Sequence, residues 1–448
     1  MKLSQIQETL REIRVTPVKT LGQNFLHDRN LAQWIVARAD LTPEDYVVEV
    51  GPGLGALTEF ALASGARVLA LEKDARLADF LRTRFETERL EIVRGDALEF
   101  DVRRLFAQPR VKFIGNLPYN ISSQLLLQFT KYPSPISLSL CMLQKEMARR
   151  LSAEPRTSDY GALTLIVQLH YRVEYLRTVP RSVFLPQPEV DSAFVKITPR
   201  AIDELPHHNP ELFTRLVRLG FSQRRKQLQK LLRDEVPDWE RAAAACAFDP
   251  KARAEELSLP QWILLSNVVA AKDPLVEPPV TEERFAVVDE ADRVVGDAPR
   301  ATVHANNLLH RAVHILIFNA AGELFLQKRS RLKDRHPNVW DSSAAGHVDA
   351  GEEYDEAAAR ELQEELGVSA PLERIVKLPA SENTGQEFIW LYRGRHEGPF
   401  RLARREIDHG EFFRPEVVTA WLKARPDDFA PGFVECWREY RAYSCRGS

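Results

Sequence analysis

The run Gly115-Asn116-Leu117-Pro118-Tyr119-Asn120-Ile121-Ser122 carries the parts of a clamp for a planar amine. The side-chain oxygen of Asn116 and the backbone carbonyl of Pro118 can accept the two N–H groups of one exocyclic amine, while Tyr119 offers a face for a flat ring. Held with both hydrogens out of plane, such an amine regains the lone pair it otherwise delocalises into its ring and aims it at an electrophile. A second grouping lies far downstream, where Glu361, Glu364 and Glu365 recur at i, i+3 and i+4 of a stretch with strong helical propensity. Three carboxylates on one helix face repel one another unless cations sit among them, and hard Mg²⁺ or Mn²⁺ takes such oxygens while bridging phosphate. Taken alone, each set has a plainer explanation: a tight Asn-Leu-Pro turn in the first case, a solvated acidic face in the second.

The elements around the first set point to a nucleoside pocket. Residues 111–114 form a short apolar run expected to be a buried strand of an α/β sheet, which puts the clamp at the strand's C-terminal edge, where such folds bind ligands. Residues 46–50 make an earlier strand that runs into Gly51-Pro52-Gly53-Leu54-Gly55, whose glycines let the backbone approach a nucleoside closely. The strand over 67–71 ends in Glu72, about twenty residues after the first of these glycines, where a carboxylate can take both hydroxyls of a ribose. A strand over 90–93 leads to Gly95-Asp96, setting an acceptor where an adenine amino group would lie. Gly22-Gln23-Asn24, ahead of a helix expected over 31–39, is a loop able to fold over a ligand. The glycine pattern also fits a dinucleotide-binding dehydrogenase. Such an enzyme has no evident use for an amine clamp, whereas a methyltransferase using S-adenosylmethionine needs the nucleoside pocket and the clamp side by side.

At 448 residues the chain is too long for one compact core, and two or three domains are expected. Residues 1–30 contain no apolar secretory core, and no run approaches the roughly 18 apolar residues of a membrane span, which implies a cytoplasmic protein with no membrane partner. Cys141, Cys246, Cys436 and Cys445 lack the paired spacing of a zinc site or a disulfide framework. The formal charge of −3 conceals a net basic segment over 1–272 and a net acidic one over 273–448, so the two parts are expected to meet different partners. Residues 272–282 hold three prolines without apolar periodicity and read as a stiff, extended linker.

In this order, Leu21-Gly22-Gln23-Asn24-Phe25-Leu26, Glu49-Val50-Gly51-Pro52-Gly53-Leu54-Gly55, Leu71-Glu72-Lys73-Asp74, Gly95-Asp96-Ala97, residues 115–122, residues 183–192 and Phe221-Ser222-Gln223-Arg224-Arg225-Lys226 closely resemble the rRNA adenine N6,N6-dimethyltransferases. The resemblance spans about residues 1–270 and implies a Rossmann-like α/β methyltransferase domain over 1–206, then a small helical RNA-binding subdomain over 207–271. It implies that Asn24, Leu26, Gly51, Gly53, Glu72, Asp96 and Asn116 contact S-adenosylmethionine. It further implies that Asn116 and the Pro118 carbonyl clamp adenine N6 while the flipped base stacks on Tyr119 and against Phe184. Leu117, the Leu-Gly-Gln-Asn-Phe-Leu opening and Gln144-Lys145-Glu146 are similar to the branch that dimethylates two adjacent adenosines in the 3′-terminal hairpin of small-subunit rRNA, rather than the macrolide-resistance branch acting on large-subunit rRNA. The expected partner is small-subunit rRNA in a pre-mature small ribosomal subunit, met by a monomer through Arg215, Arg218, Arg224, Arg225, Lys226 and Lys230. The alternative is a non-catalytic ribosome-assembly factor with an acidic docking domain, against which the intact Asn116, Tyr119, Glu364 and Glu365 stand.

In the C-terminal part a hairpin is expected over 283–295, with strands over 314–318 and 323–328 joined across 319–322. Gly346, Glu352, Arg360-Glu361-Leu362, Glu364-Glu365 and Gly367-Val368 resemble the Nudix box over 346–368 without a departure, which implies an α+β Nudix hydrolase domain, an α/β/α sandwich, over 283–448. That resemblance implies hydrolysis of a diphosphate-containing small molecule, with Mg²⁺ or Mn²⁺ on Glu361, Glu364 and Glu365, and with one of these or a downstream acid such as Glu406 as base. Val288-Asp289-Glu290, His304, Leu309-His310-Arg311, Trp340-Asp341 and Gly346-His347 further resemble the isopentenyl-diphosphate isomerase-like branch. Ala345 stands where that isomerase has a cysteine, so isomerase activity is not expected. His304, His310 and His347 are either metal ligands or satisfied structural histidines.

Overall fold

The computed structural model describes residues 2–17, 22–108, 110–131, 133–201, 204–270 and 283–446. It divides into two compact units, Met1–Val269 and Ala270–Ser448. The linker expected over 272–282, and Leu21 of the opening motif, lie outside the described residues.

The strands of the first unit are β1 (Phe25–Leu26), β2 (Tyr46–Val50), β3 (Arg67–Glu72), β4 (Leu90–Arg94), β5 (Val111–Asn116), β6 (Ile136–Gln144), β7 (Tyr171–Val179), β8 (Phe184–Leu185) and β9 (Ser192–Pro199). Seven of them form one sheet in the order β4-β3-β2-β5-β6-β9-β7, parallel from β4 to β6 and antiparallel at β9 and β7. β2 and β5 are nearly continuous apolar runs because both faces of the sheet are covered. Val48 and Phe113 join one buried cluster, Val47 and Ile114 another. Lys112 interrupts the β5 run, and its ammonium is satisfied inside by the Asp45 carboxylate at 3.0 Å and the carbonyls of Ala39 and Asp40. Chain order reverses between β2 and β5, so a crevice opens at the carboxyl ends of β2, β3 and β5, the general ligand position of such sheets. β1 and β8 pair apart from the main sheet, with Leu26 opposite Phe184.

The helices Pro210–Gly220, Leu228–Leu231, Trp239–Ala245 and Leu259–Ala270 follow. Asn209 starts the first by accepting the amides of Glu211 and Leu212 with its side-chain oxygen. Leu216, Leu228, Leu257, Trp262 and Leu265 are buried among them, while Arg215, Arg218, Arg224, Arg225, Lys226 and Lys230 are exposed.

The second unit contains β10 (Arg284–Val288), β11 (Val294–Pro299), β12 (His310–Phe318), β13 (Leu324–Arg329), β14 (Trp340–Asp341), β15 (Ala344–His347), β16 (Glu373–Leu378), β17 (Glu387–Arg395) and β18 (Ile407–Phe413). They make a mixed nine-stranded sheet in which β12 pairs with β10, β13, β15 and β17. Val313 and Ile315 pack beneath the helix Tyr354–Leu366, whereas His314, on the other face, meets Gly432 of the helix Pro431–Arg446. Helices on both faces make the α/β/α sandwich. Gly367 ends the helix Tyr354–Leu366 at a φ of 67°, a left-handed cap open to glycine. Among the described residues no helix is long and apolar enough to cross a membrane.

Gly220 packs closely against its neighbours in the helical subdomain. A Cβ there would lie 2.5 Å from Trp262 and 2.8 Å from Leu228. Gly220→Ala is expected to destabilise the first unit by about 1–3 kcal/mol through overpacking, measured by urea unfolding followed by circular dichroism.

Candidate active sites

Asn24, Leu26, Gly51, Gly53, Glu72, Asp96 and Asn116 line one cavity at the carboxyl edge of β2, β3 and β5, together with Glu49 and Pro118. The glycine turn after β2 forms one wall, and Gly53, at a φ of 58°, lies close enough to Phe25 that a Cβ would stand 3.1 Å from its ring. Glu72 ends β3 with its carboxylate held by the amides of Gly53 at 3.3 Å and Asp74 at 2.9 Å. Burial raises its pKa. Beneath it, burial pushes Glu49 up to about 7, opposed by the Thr58 hydroxyl that donates to it and reinforced by the charge of Glu72. Asp96 behaves oppositely: Lys73, at 2.8 Å, and the Leu98 amide hold it below the usual carboxylate range.

The clamp residues are tied to the opening loop. Asn116 Nδ2 donates to the carbonyl of Asn24 at 2.9 Å, which assigns the amide orientation and leaves Oδ1 as the acceptor for a guest. Gly22, at a φ of 63°, rests on the clamp so closely that a Cβ would lie 2.8 Å from Pro118 Cβ. The Pro118 carbonyl accepts the Ile121 amide at 3.1 Å, closing the turn with one lone pair and keeping the second for another donor. Tyr119 is half-buried, and its hydroxyl meets the hydroxyl of Ser192. Phe184 is placed differently. Its ring is only 3% exposed, packed with Leu26, Val179 and Phe194, and it reaches the site through the pairing of β8 with β1.

In the second unit the helix Tyr354–Leu366 separates its glutamates by depth. Glu361 is 13% exposed and Glu364 60% exposed at the rim, while Glu365 is buried. Glu365 accepts the Ala345 amide at 3.0 Å and Gln327 Nε2 at 3.1 Å. Arg360 spans Glu352, Glu361 and Glu364. Burial, then the charge of Glu365, raises the pKa of Glu361, and burial raises Glu365 against the opposing charge of Lys333. Two buried carboxylates that resist joint ionisation fit a bound divalent cation. Glu406 lies off the helix and pairs with Lys333, a half-buried ammonium that also feels Glu365 and Glu361.

A further group sits around Phe285. Ligand atoms of His304, His310 and His347 all lie within 4.8 Å of one another, and the rings of His347 and His310 stack on Phe285 at 4.1 and 5.9 Å. Glu387 Oε1 is 3.3 Å from His347 Nε2 and 3.5 Å from His310 Nε2. His310 Nδ1 lies 2.8 Å from the Leu308 carbonyl, so that nitrogen carries a proton and donates, while Nε2 faces the Glu387 carboxylate. Nε2 of both His304 and His310 is buried without a hydrogen bond. Burial pushes His304 and His347 down to about 4, so both are neutral. Burial alone would raise Glu387, but His310 and His347 hold it far below the usual range. Orphaned imidazole nitrogens beside one carboxylate fit a divalent transition ion. The histidines were visible in the sequence. Glu387 was not, because only the parallel register of β12 and β17 sets it opposite His310.

The family model described as Ribosomal RNA adenine dimethylase matches residues 17–271, and that described as NUDIX domain matches residues 308–433. A ribosomal RNA small subunit methyltransferase A from Psychrobacter cryohalolentis is 40% identical over 270 residues, covering 58% of this chain and 94% of its own. Its counterpart from Laribacter hongkongensis is 42% identical over 254 residues, covering 57% and 96%. A solved dimethyladenosine transferase from Plasmodium falciparum is 25% identical, covers 55% of this chain and 98% of its own, and superposes with a TM-score of 0.48.

One position tests the glutamate site directly. A Cβ on Gly346 would fall 2.0 Å from the Glu361 carboxyl. Gly346→Ala is expected to weaken one class of Mn²⁺ site about tenfold or more in an equilibrium titration, with unchanged circular dichroism.

Proposed function

Because the chain belongs to the ribosomal RNA adenine dimethylase family over residues 17–271 and carries a NUDIX domain over 308–433, we propose that it is a bifunctional enzyme. The first unit dimethylates N6 of two adjacent adenosines in the 3′-terminal hairpin of small-subunit rRNA, and the second hydrolyses a diphosphate-containing small molecule. The observation that carries the first activity is the bond from Asn116 Nδ2 to the Asn24 carbonyl, which orients an acceptor at the edge of a nucleoside-sized cavity.

In this reading Glu72 takes the ribose hydroxyls of S-adenosylmethionine, Asp96 takes its adenine amine, and Asn24, Leu26, Gly51 and Gly53 close around it. When bound, the cofactor supplies an electrophilic methyl group. Asn116 Oδ1 and the Pro118 carbonyl accept the two N6 hydrogens and set the lone pair at right angles to the base, while Tyr119 supports the flipped ring and Phe184, buried in the core, braces Leu26. N6 becomes strongly acidic on bonding carbon, so water can take the proton and no side-chain base is needed. A monomethylated amine keeps one N–H for the clamp, which permits a second round. The exposed basic residues from Arg215 to Lys230 supply phosphate contacts, and the names of the relatives favour the small subunit over the large.

In the second unit Glu361, Glu364 and Glu365 would hold Mg²⁺ or Mn²⁺, and His304, His310, His347 and Glu387 a second divalent ion. Bound there, such ions withdraw charge from phosphoryl oxygens. Glu364, at the rim, is the carboxylate best placed to take a proton from an attacking water, and Arg360 restrains it. Ala345 offers no thiol for isomerase chemistry. The chain works in the cytoplasm, consistent with four unpaired cysteines.

The two activities are expected to separate cleanly. Asn116→Ala should lower methyl transfer from labelled S-adenosylmethionine to adenine by about a hundredfold or more while leaving Mg²⁺-dependent phosphate release intact. Glu365→Gln should do the reverse across a panel of nucleotide and isoprenoid diphosphates. Methyl transfer that survives Asn116→Ala would remove the clamp, and hydrolysis that survives Glu365→Gln would remove the cation site.

A further inference from the structure

Tyr119 is the least constrained part of the clamp by covalent geometry. It sits on the tip between β5 and the helix Ser122–Phe129, and its backbone carbonyl is held by the Ser122 hydroxyl at 3.1 Å. Its ring can still turn about two side-chain bonds. The far end of that ring is hydrogen-bonded to Ser192, the first residue of β9, which lies two strands from β5 in the sheet. Ser192 is fully buried, and no hydroxyl is placed there for solubility. Its strand is locked from both edges, with Ser192 opposite Gln144 of β6 and Val179 of β7. The residue before it is fixed as well: the Asp191 carbonyl accepts the Lys145 amide at 3.1 Å, and the Asp191 carboxylate accepts the Arg181 amide at 3.1 Å. A ring with two rotatable side-chain bonds is thus held at its hydroxyl by a buried residue whose strand is paired on both edges.

We propose that Ser192 is a positioning residue for methyl transfer, fixing the plane of Tyr119 on which the target adenine lies. This rests on the reading of Tyr119 as the base platform. The bond matters most in the second round. An unmethylated adenine gives Asn116 and Pro118 two N–H groups to hold, but a monomethylated one gives a single N–H, and the stacked ring must then supply more of the alignment.

The test uses the full chain with small ribosomal subunits lacking the modification. Ser192→Ala is expected to lower kcat about tenfold, the worth of one hydrogen bond in the aligned state. Cofactor affinity should stay unchanged by calorimetry, and the ratio of N6-monomethyl to N6,N6-dimethyl adenosine in nuclease digests should rise. A merely structural serine would lower the folded fraction without moving that ratio. Tyr119→Phe removes the same bond from the exposed side, so it should reproduce both effects even if Ser192→Ala folds poorly, and the double variant should be no worse than either single one. Wild-type kcat and product ratio in Tyr119→Phe, or additive losses in the double variant, would overturn the assignment. Tyr119→Ala separates the layers: if that variant also matched wild type, the platform reading itself would be wrong, whereas a severe loss there with a silent Tyr119→Phe would reject the role of Ser192 alone.

Discussion

The hydrogen bond between Asn116 Nδ2 and the Asn24 carbonyl joins two segments that are far apart in sequence and must act at one atom. An asparagine amide has two nearly equivalent ends, and only one of them accepts. By committing the nitrogen to the loop, the protein commits the oxygen to the guest. The bond also makes the loop and the clamp one body: Gly22 lies against Pro118, and Leu26 pairs with Phe184. In the proposed reading, the walls of the cofactor cavity and the seat of the base are therefore built from the same few residues, so anything that orders residues 22–26 orders the acceptor as well. The net worth of one such bond is only about 1 kcal/mol, but its geometric consequence is larger, because a misdirected amide would present a donor to an amine.

Much of this was legible from residue types. The apolar runs of β2, β3 and β5, each ending in glycine or a polar residue, announce a parallel sheet with its chemistry at the carboxyl edge. The glutamate spacing announces the helix that carries it. What was not legible depended on which way a side chain faces. Phe184 belongs to a two-residue strand, too short for alternation to show its side, and its ring turned out to be core. Glu361, Glu364 and Glu365 share a face, yet that face is wide enough for the third position to be buried while the second reaches the rim. Lys112 looks like an error in a buried strand until Asp45 and two carbonyls are seen around it. Glu387 and Ser192 act through strand register alone, and register is a property of the whole sheet.

The two units solve a similar electrostatic problem in different ways. Each buries carboxyl groups in its candidate site. In the first unit Glu72 is kept usable by backbone amides. In the second, Arg360 and Lys333 offset part of the repulsion among the box glutamates, and the remainder is what a divalent ion would relieve. The histidine group is the complement: three imidazoles gathered around a single carboxylate, a donor set for a softer ion than the glutamates would take.

The first unit is proposed to place two methyl groups on adenine N6 of small-subunit rRNA. The most direct measurement is mass spectrometry of rRNA digests after the purified chain and S-adenosylmethionine are incubated with small and large ribosomal subunits that lack the modification. The expected result is two N6,N6-dimethyladenosines per small subunit, adjacent in the 3′-terminal hairpin, and none in the large one. Dimethylation confined to the large subunit, or no dimethyladenosine in either, would contradict it.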